Sequence, residues 1–297
     1  MVWLINSAQL DKFRKSQKSL IILDASWHMP DDNRDAKQEF ALKHIIDAKF
    51  FDIDAFSDHS PEAPHPHMVL RDETVLSEKL GALGIRNDYK IILYDNSKIH
   101  TACRAAWMLK LMGHNPQQIY ILDGGFSAWE LYGGKVEAGE VTTSAKPYKA
   151  TFQSQYLRTL AEMKANLRHP TEQVIDVRHS VRYMGGPELK LGIRPGHIPG
   201  SFSFPYTSLF EKNGLLRPLD KIRQVLTGIG VDLSLPIIAT CGSGISSCAL
   251  DFALDLLEHP HHSVYNGSWN EWGNEKLYIN ESNLDERPAI KSTDKEL

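Results

Sequence analysis

One residue in this sequence has a setting suited to nucleophilic chemistry. Cys241 ends the apolar run Ile237-Ile238-Ala239-Thr240 and opens the turn Cys241-Gly242-Ser243-Gly244-Ile245-Ser246, ahead of a helix-forming stretch from Ser247 to Leu257. A short β-branched run bounded by turn residues reads as a buried strand, and open α/β sheets place their sites beyond the C-terminal ends of strands. Two glycines in so short a turn let successive N–H groups point inward as an anion-binding nest, and the helix that follows adds its positive N-terminal end. A thiolate at the focus of both is held ionised and is nucleophilic. The plainer alternative is a buried structural cysteine, and the glycine-flanked strand-to-helix position weighs against it. The other two cysteines, Cys103 and Cys248, complete an odd set of three. That number argues against a disulfide framework and for a reducing compartment, so the expected location is cytoplasmic.

The elements that must position Cys241 occur twice. Ile21-Ile22-Leu23-Asp24-Ala25 is answered by Val174-Ile175-Asp176-Val177-Arg178, and Lys43-His44-Ile45-Ile46-Asp47-Ala48 by Gly196-His197-Ile198-Pro199-Gly200-Ser201. Lys90-Ile91-Ile92-Leu93-Tyr94-Asp95 matches Pro236-Ile237-Ile238-Ala239-Thr240-Cys241, with the helical stretch from Ala102 to Met112 standing where Ser247 to Leu257 stands. Ile121-Leu122-Asp123-Gly124-Gly125-Phe126 with Trp129 matches Val264-Tyr265-Asn266-Gly267-Ser268-Trp269 with Trp272. Matched landmarks in one order mean a duplicated unit. Alternation of strands and helices predicts an α/β fold in which each unit is a mainly parallel sheet flanked by helices. The expected division is residues 1–140 and 155–280, joined by a linker at 141–154 in a Thr-, Ser- and Lys-rich stretch and followed by a polar tail at 281–297. In the first unit Asp95 stands where the second has Cys241, and no glycines follow it. One half keeps the chemistry, and the other is expected to serve as a scaffold or as a wall of the cleft.

The doubled pattern and the loop Cys241-Gly242-Ser243-Gly244-Ile245-Ser246 resemble the rhodanese-like sulfurtransferases, and within them the 3-mercaptopyruvate sulfurtransferases. The resemblance also rests on Phe50-Phe51-Asp52-Ile53-Asp54, Pro66-His67-Met68, Gly196-His197-Ile198-Pro199-Gly200 and Gly267-Ser268-Trp269-Asn270-Glu271-Trp272, and it covers nearly the whole chain. It implies two tandem rhodanese-like domains and a Cys241 persulfide as the carrier of sulfur. In the thiosulfate branch Arg and Lys follow the cysteine. Thiosulfate is a compact dianion that favours such cations, whereas Gly242 and Ser243 supply none. Mercaptopyruvate is a monoanion with its carboxylate further from the attacked sulfur. The resemblance places that carboxylate on Arg182 and on Lys190, which stands where the family usually has Arg and lacks its bidentate geometry; Arg194 is the neighbouring cation. Gly242, Gly244, Ile245 and Ser246 line the anion pocket. The resemblance further implies a proton relay of Ser243, His67 and Asp54 bridging the two domains. The implied partners are a small-molecule sulfur donor and a thiol acceptor, such as thioredoxin or a small thiol, or cyanide. Asn266 replaces the Asp usual in the family.

Several other classes are set aside. Tyrosine-phosphatase loops need Arg six positions after the cysteine, where this chain has Ser247. Gly242-Ser243-Gly244 is too short for a dinucleotide fingerprint, and no Gly-Lys-Ser/Thr follows. His259, His261 and His262 read as surface histidines, so neither a metal nor a cofactor is expected. The formal net charge of −4 gives no general attraction to nucleic acid or anionic membranes, no apolar run reaches the roughly 20 residues of a membrane span, and Met1 to Asn6 lacks a secretory-signal pattern. Two alternatives remain open on sequence: a thiosulfate sulfurtransferase, and a non-enzymatic sulfur-carrier or binding protein.

Overall fold

The computed structural model describes residues 1–279 and 289–290. Its strands, in chain order, are β1 (Trp3–Ile5), β2 (Leu20–Asp24), β3 (His44–Ile45), β4 (Ala48–Phe50), β5 (Lys90–Tyr94), β6 (Ile119–Leu122), β7 (Val136–Glu137), β8 (Leu157–Arg158), β9 (Gln173–Asp176), β10 (Phe202–Ser203), β11 (Ile237–Thr240) and β12 (His262–Tyr265). The helices are α1 (Ser7–Ser16), α2 (Ala36–Leu42), α3 (Glu73–Ala82), α4 (Thr101–Leu111), α5 (Gly125–Leu131), α6 (Leu160–Arg168), α7 (Ser180–Tyr183), α8 (Leu219–Gly228), α9 (Ser247–Leu256), α10 (Ser268–Trp272) and α11 (Glu275–Ile279).

Two parallel sheets follow, with the same strand order. One runs β1-β6-β5-β2-β4 and the other β8-β12-β11-β9-β10. Register confirms the correspondence read from the landmarks: Leu23 pairs with Leu93 in the first sheet, and Ile175 with Ala239 in the second. Each sheet is entered in the same way. The first strand runs straight into a helix closed by a capping box, Asn6 with Gln9 before α1 and Thr159 with Glu162 before α6, which satisfies backbone donors at the helix start. The strand runs are buried along nearly their whole length because helices cover both faces. Ile5, Ile22, Ile92, Leu122 and Trp129 gather in one core, and Val174, Ile238, Tyr265, Trp269 and Trp272 in the other.

The chain does not divide at a single point. One compact unit comprises Met1–Ser57, Val69–Gln153 and Phe210–Leu216; the other comprises Asp58–Met68, Ser154–Leu209 and Arg217–Leu297. Each unit therefore contains a short segment whose sequence lies among the other's elements. The stretch 141–154, expected as a linker, is mostly attached to the first unit. Lys146 N–H donates to Gly81 O, Thr151 N–H to Met112 O and Gln153 N–H to Leu111 O, and Tyr148 and Ala150 are buried. Within the expected tail 281–297, Ile290 exchanges both backbone hydrogen bonds with His197, and apart from 289–290 the tail lies outside the described residues. Among the described residues no helix is long and apolar enough to cross a membrane, and no group of three or more His, Cys, Asp or Glu side chains is placed to hold a metal ion.

Candidate active site

β11 delivers Cys241 to the C-terminal edge of the second sheet, and α9 begins six residues later. The turn between them is tight because Gly244 adopts φ +79°, a left-handed conformation that costs glycine little. A Cβ there would lie 2.5 Å from the Asn266 side chain and 2.6 Å from its carbonyl oxygen, so the close approach also requires glycine.

Cys241 is 2 % exposed, and its sulfur is surrounded by donors. Gly244 N–H donates to Sγ at 3.1 Å, Ser247 Oγ lies 3.5 Å away and Ser268 Oγ 3.9 Å away. Burial pushes the thiol pKa up, but hydrogen bonds from the Ser246 and Ser247 side chains and from the Ser247 and Ser243 backbone outweigh it and leave the pKa below its ordinary value. That is the state a sulfur nucleophile requires. The neighbouring strand-to-helix turn braces the loop. Cys241 N–H donates to Ser268 Oγ at 3.2 Å, Trp269 N–H to Cys241 O at 3.0 Å, and Asn270 N–H to Gly242 O at 2.8 Å. Cys248 Sγ lies 3.2 Å from Gly244 O. All three cysteines are buried and free of disulfides.

A cation stands beside the loop, supplied by α7 rather than by the loop itself. The Arg182 guanidinium lies 3.3 Å from the place a Cβ on Gly242 would occupy; a larger residue at 242 would press on it. A chain of charges aims it. Asp176, at the end of β9, pairs with Arg178 at 2.6 Å, Arg178 with Glu188 at 2.7 Å, and Glu188 with Arg182 at 2.5 Å. Arg178 also donates to Gly196 O at 2.7 Å and lies over the Trp269 ring, 4.5 Å from its centroid. Buried charges persist only when so paired.

The other predicted residues are distributed as follows. Lys190 is exposed in the loop after α7, and among the described residues no hydrogen bond or ion pair ties it to the Cys241 loop. Arg194 is anchored through Nη2 to Trp272 O at 2.9 Å. Ile245 is buried and Ser246 precedes α9 at its N-cap. Ser243 and His67 both belong to the second unit, while Asp54 belongs to the first, where its Oδ2 accepts from Trp27 Nε1 at 2.8 Å. His67 arrives on the segment Asp58–Met68. Its N–H donates to His65 Nδ1 at 3.2 Å, and its carbonyl accepts from Asn266 Nδ2 at 3.1 Å. His262, one of the histidines read as surface, pairs with Asp251 at 2.7 Å.

Sequence reasoning passed over Ser247, Ser268, Glu188 and His65. Ser268 had a signal in the repeat, since it stands in a matched landmark. Glu188 and His65 had none, because their places depend on how loops return to the sheet edge.

The arrangement is an anion nest built around a sulfur nucleophile, with one guanidinium beside it. The Rhodanese-like domain family matches residues 8–132 and 159–275 of the chain. The 3-mercaptopyruvate sulfurtransferase of Rattus norvegicus is 36% identical over 268 residues, 89% of this chain and 89% of that protein. The thiosulfate sulfurtransferase of Gallus gallus is 36% identical over 255 residues, 85% of this chain and 86% of that protein. The rhodanese-fold crystal structure of SseA from Escherichia coli superposes with a TM-score of 0.80 at 31% identity, covering 91% of this chain and 99% of the other. With both halves matched and both sheets in one strand order, the chain belongs to the rhodanese-like family.

Proposed function

We propose that this chain is a sulfurtransferase that takes sulfur from 3-mercaptopyruvate onto Cys241 as a persulfide and passes it to a thiol or to cyanide. The observation that carries the reading is the Cys241 sulfur, 3.1 Å from Gly244 N–H and held below its ordinary pKa by loop donors, in a turn whose Gly242 adjoins the Arg182 guanidinium. In the first half-reaction the thiolate attacks the donor sulfur. The S–S bond forms as the C–S bond breaks, and pyruvate departs as its enolate to be protonated. In the second, an acceptor thiolate attacks the outer sulfur and Cys241 leaves as thiolate, back in its nest. Arg182 binds the donor carboxylate, with Lys190 and Arg194 as flanking cations, and Ser243 and His67 handle protons. Thioredoxin or a small thiol is the acceptor, and the cytoplasm the location, the latter supported by an odd set of three cysteines that makes no disulfide framework.

Thiosulfate is the second donor to test. The chicken relative carries its name, and Arg182 gives the loop one of the cations a dianion wants. Gly242 and Ser243 add none, so mercaptopyruvate should have the higher kcat/KM. Intact mass after exposure to mercaptopyruvate without acceptor should show one added sulfur on the wild type and on Cys103→Ser and Cys248→Ser, but none on Cys241→Ser. Turnover by Cys241→Ser near the wild-type rate would end the persulfide reading, and thiosulfate winning the donor comparison would end the choice of branch.

A further inference from the structure

Asn266 is neither acid, base nor nucleophile, yet it is only 1% exposed and touches both parts of the site. On one side its amide and carbonyl crowd Gly244, the residue whose N–H reaches the Cys241 sulfur. On the other it holds the segment that brings in the histidines. Asn266 Nδ2 donates to His67 O at 3.1 Å, and Asn266 O lies 3.2 Å from His65 Nε2. The His65 tautomer follows: Nδ1 accepts from His67 N–H, so Nε2 carries the proton and donates to Asn266 O. The first unit has Asp123 at the same repeat position, and its Oδ1 accepts from Leu216 N–H at 2.8 Å, on the segment 210–216. Each unit thus holds its incoming segment in part through the side chain at this repeat position, and the chemistry of the side chain matches the backbone group presented: a carboxylate for an N–H, an amide N–H for a carbonyl.

We infer that Asn266 is a positioning residue that fixes the His67 backbone, and with it the imidazole, against the Cys241 loop. The inference rests on the roles proposed for Cys241 and His67. A carboxylate at 266 sets an anion against the His67 carbonyl and withdraws the donor; a protonated carboxyl restores it. Asn266→Asp keeps the size and shape of the residue, so it tests the donor and not the packing.

Persulfide formation on wild-type Cys241, read by mass, tests the underlying function without touching residue 266. For the inference itself, kcat and KM for mercaptopyruvate are measured against pH in Asn266→Asp, Asn266→Ala, His67→Ala and the Asn266→Ala/His67→Ala double variant. Loss of one hydrogen bond at a reacting group corresponds to about a tenfold change. Asn266→Ala should lower kcat about tenfold with little change in KM. Asn266→Asp should match that loss above neutrality and recover relative to wild type as pH falls. The double variant should be no slower than His67→Ala alone, since the two act through one group. Iodoacetamide should still alkylate Cys241 in Asn266→Ala with the wild-type pH midpoint, which shows an intact nest and a folded unit. Unchanged kcat in both Asn266 variants, full additivity in the double variant, or a shifted alkylation midpoint in Asn266→Ala would each overturn the assignment.

Discussion

The strand ends of β2 and β9 occupy the same place in their two sheets, and they solve the same electrostatic problem differently. Asp176 ends β9 beside Arg178, and through Glu188 that pair orients Arg182 toward Gly242. Asp24 ends β2 with Ser26 in place of the arginine; Ser26 donates its N–H at 2.9 Å and its hydroxyl, and the Tyr94 hydroxyl adds a further hydrogen bond. Burial, with Asp95 nearby, pushes the Asp24 pKa up to about 6. The strand that would carry the nucleophile ends instead in Asp95. Its carboxylate takes the Ser97 N–H at 2.9 Å and the Ala102 N–H at the start of α4 at 2.7 Å, and burial holds its pKa at about 6. The first unit still has an anion nest, and it is filled by its own side chain. What separates a working half from a scaffold is therefore not the nest. It is the nucleophile in the nest, because a guanidinium stands by both turns: Arg34, paired with Glu39 at 2.6 Å, donates to Asn96 O at 3.1 Å.

The largest effect expected from breaking this contrast comes from Arg178→Ala, which leaves Asp176 buried without its guanidinium and Glu188 with Arg182 alone. Removing one member of a buried ion pair costs about 3–5 kcal/mol, so urea denaturation should show a loss of that size, with transfer activity lost in parallel. Arg182→Ala should cost less stability than Arg178→Ala, since Glu188 keeps its pairing with Arg178. It should raise KM for mercaptopyruvate more than it lowers kcat, because a carboxylate contact acts in ground and transition states alike. A charge-assisted hydrogen bond of about 1.5–3 kcal/mol sets the rise at roughly 10- to 150-fold.

The smallest effect on turnover belongs to Asp95→Asn in the first unit, which should leave sulfur transfer intact and alter only how stability depends on pH. A carboxyl with folded pKa about 6 and unfolded pKa near 3.8 binds its proton more tightly when folded. Its stabilising share is complete below the unfolded value and is lost as pH rises to about 6. Thermal unfolding between pH 4 and 7 should therefore show the wild type losing ground to Asp95→Asn as pH rises through that window, and a parallel pair of curves would remove the buried-carboxylate account.

Cys241, its glycine turn and the repeated strands were legible in the sequence because each is a local pattern: a β-branched run, a turn that needs glycine, a helix that starts after it. Both sheets inherit their strand order from that repetition. The Asp176-Arg178-Glu188-Arg182 chain was not legible beyond Arg182 itself. Glu188 lies in an irregular loop, and nothing in its neighbours shows that the loop folds back over β9. Lys190 was named by its place in a family pattern, and an exposed loop position gives no periodicity from which its surroundings can be read. The division of the chain escaped for a similar reason. Residues 58–68 and 210–216 are short, rich in turn formers and without a hydrophobic period, so their membership is decided by side chains far away in sequence, Asn266 and Asp123 among them.

That crossed membership sets a clock on synthesis. The first unit has its sheet once Ile119–Leu122 is made, but it lacks Phe210–Leu216 until translation is well into the second half. Phe210, which stacks on His100 with ring centroids 3.4 Å apart, arrives on that segment. At roughly 5–20 residues per second the interval lasts several seconds, and throughout it a nascent first unit is incomplete. A ribosome stalled near the middle of the message would hold an unfinished half, with the His100 face still waiting for its cover.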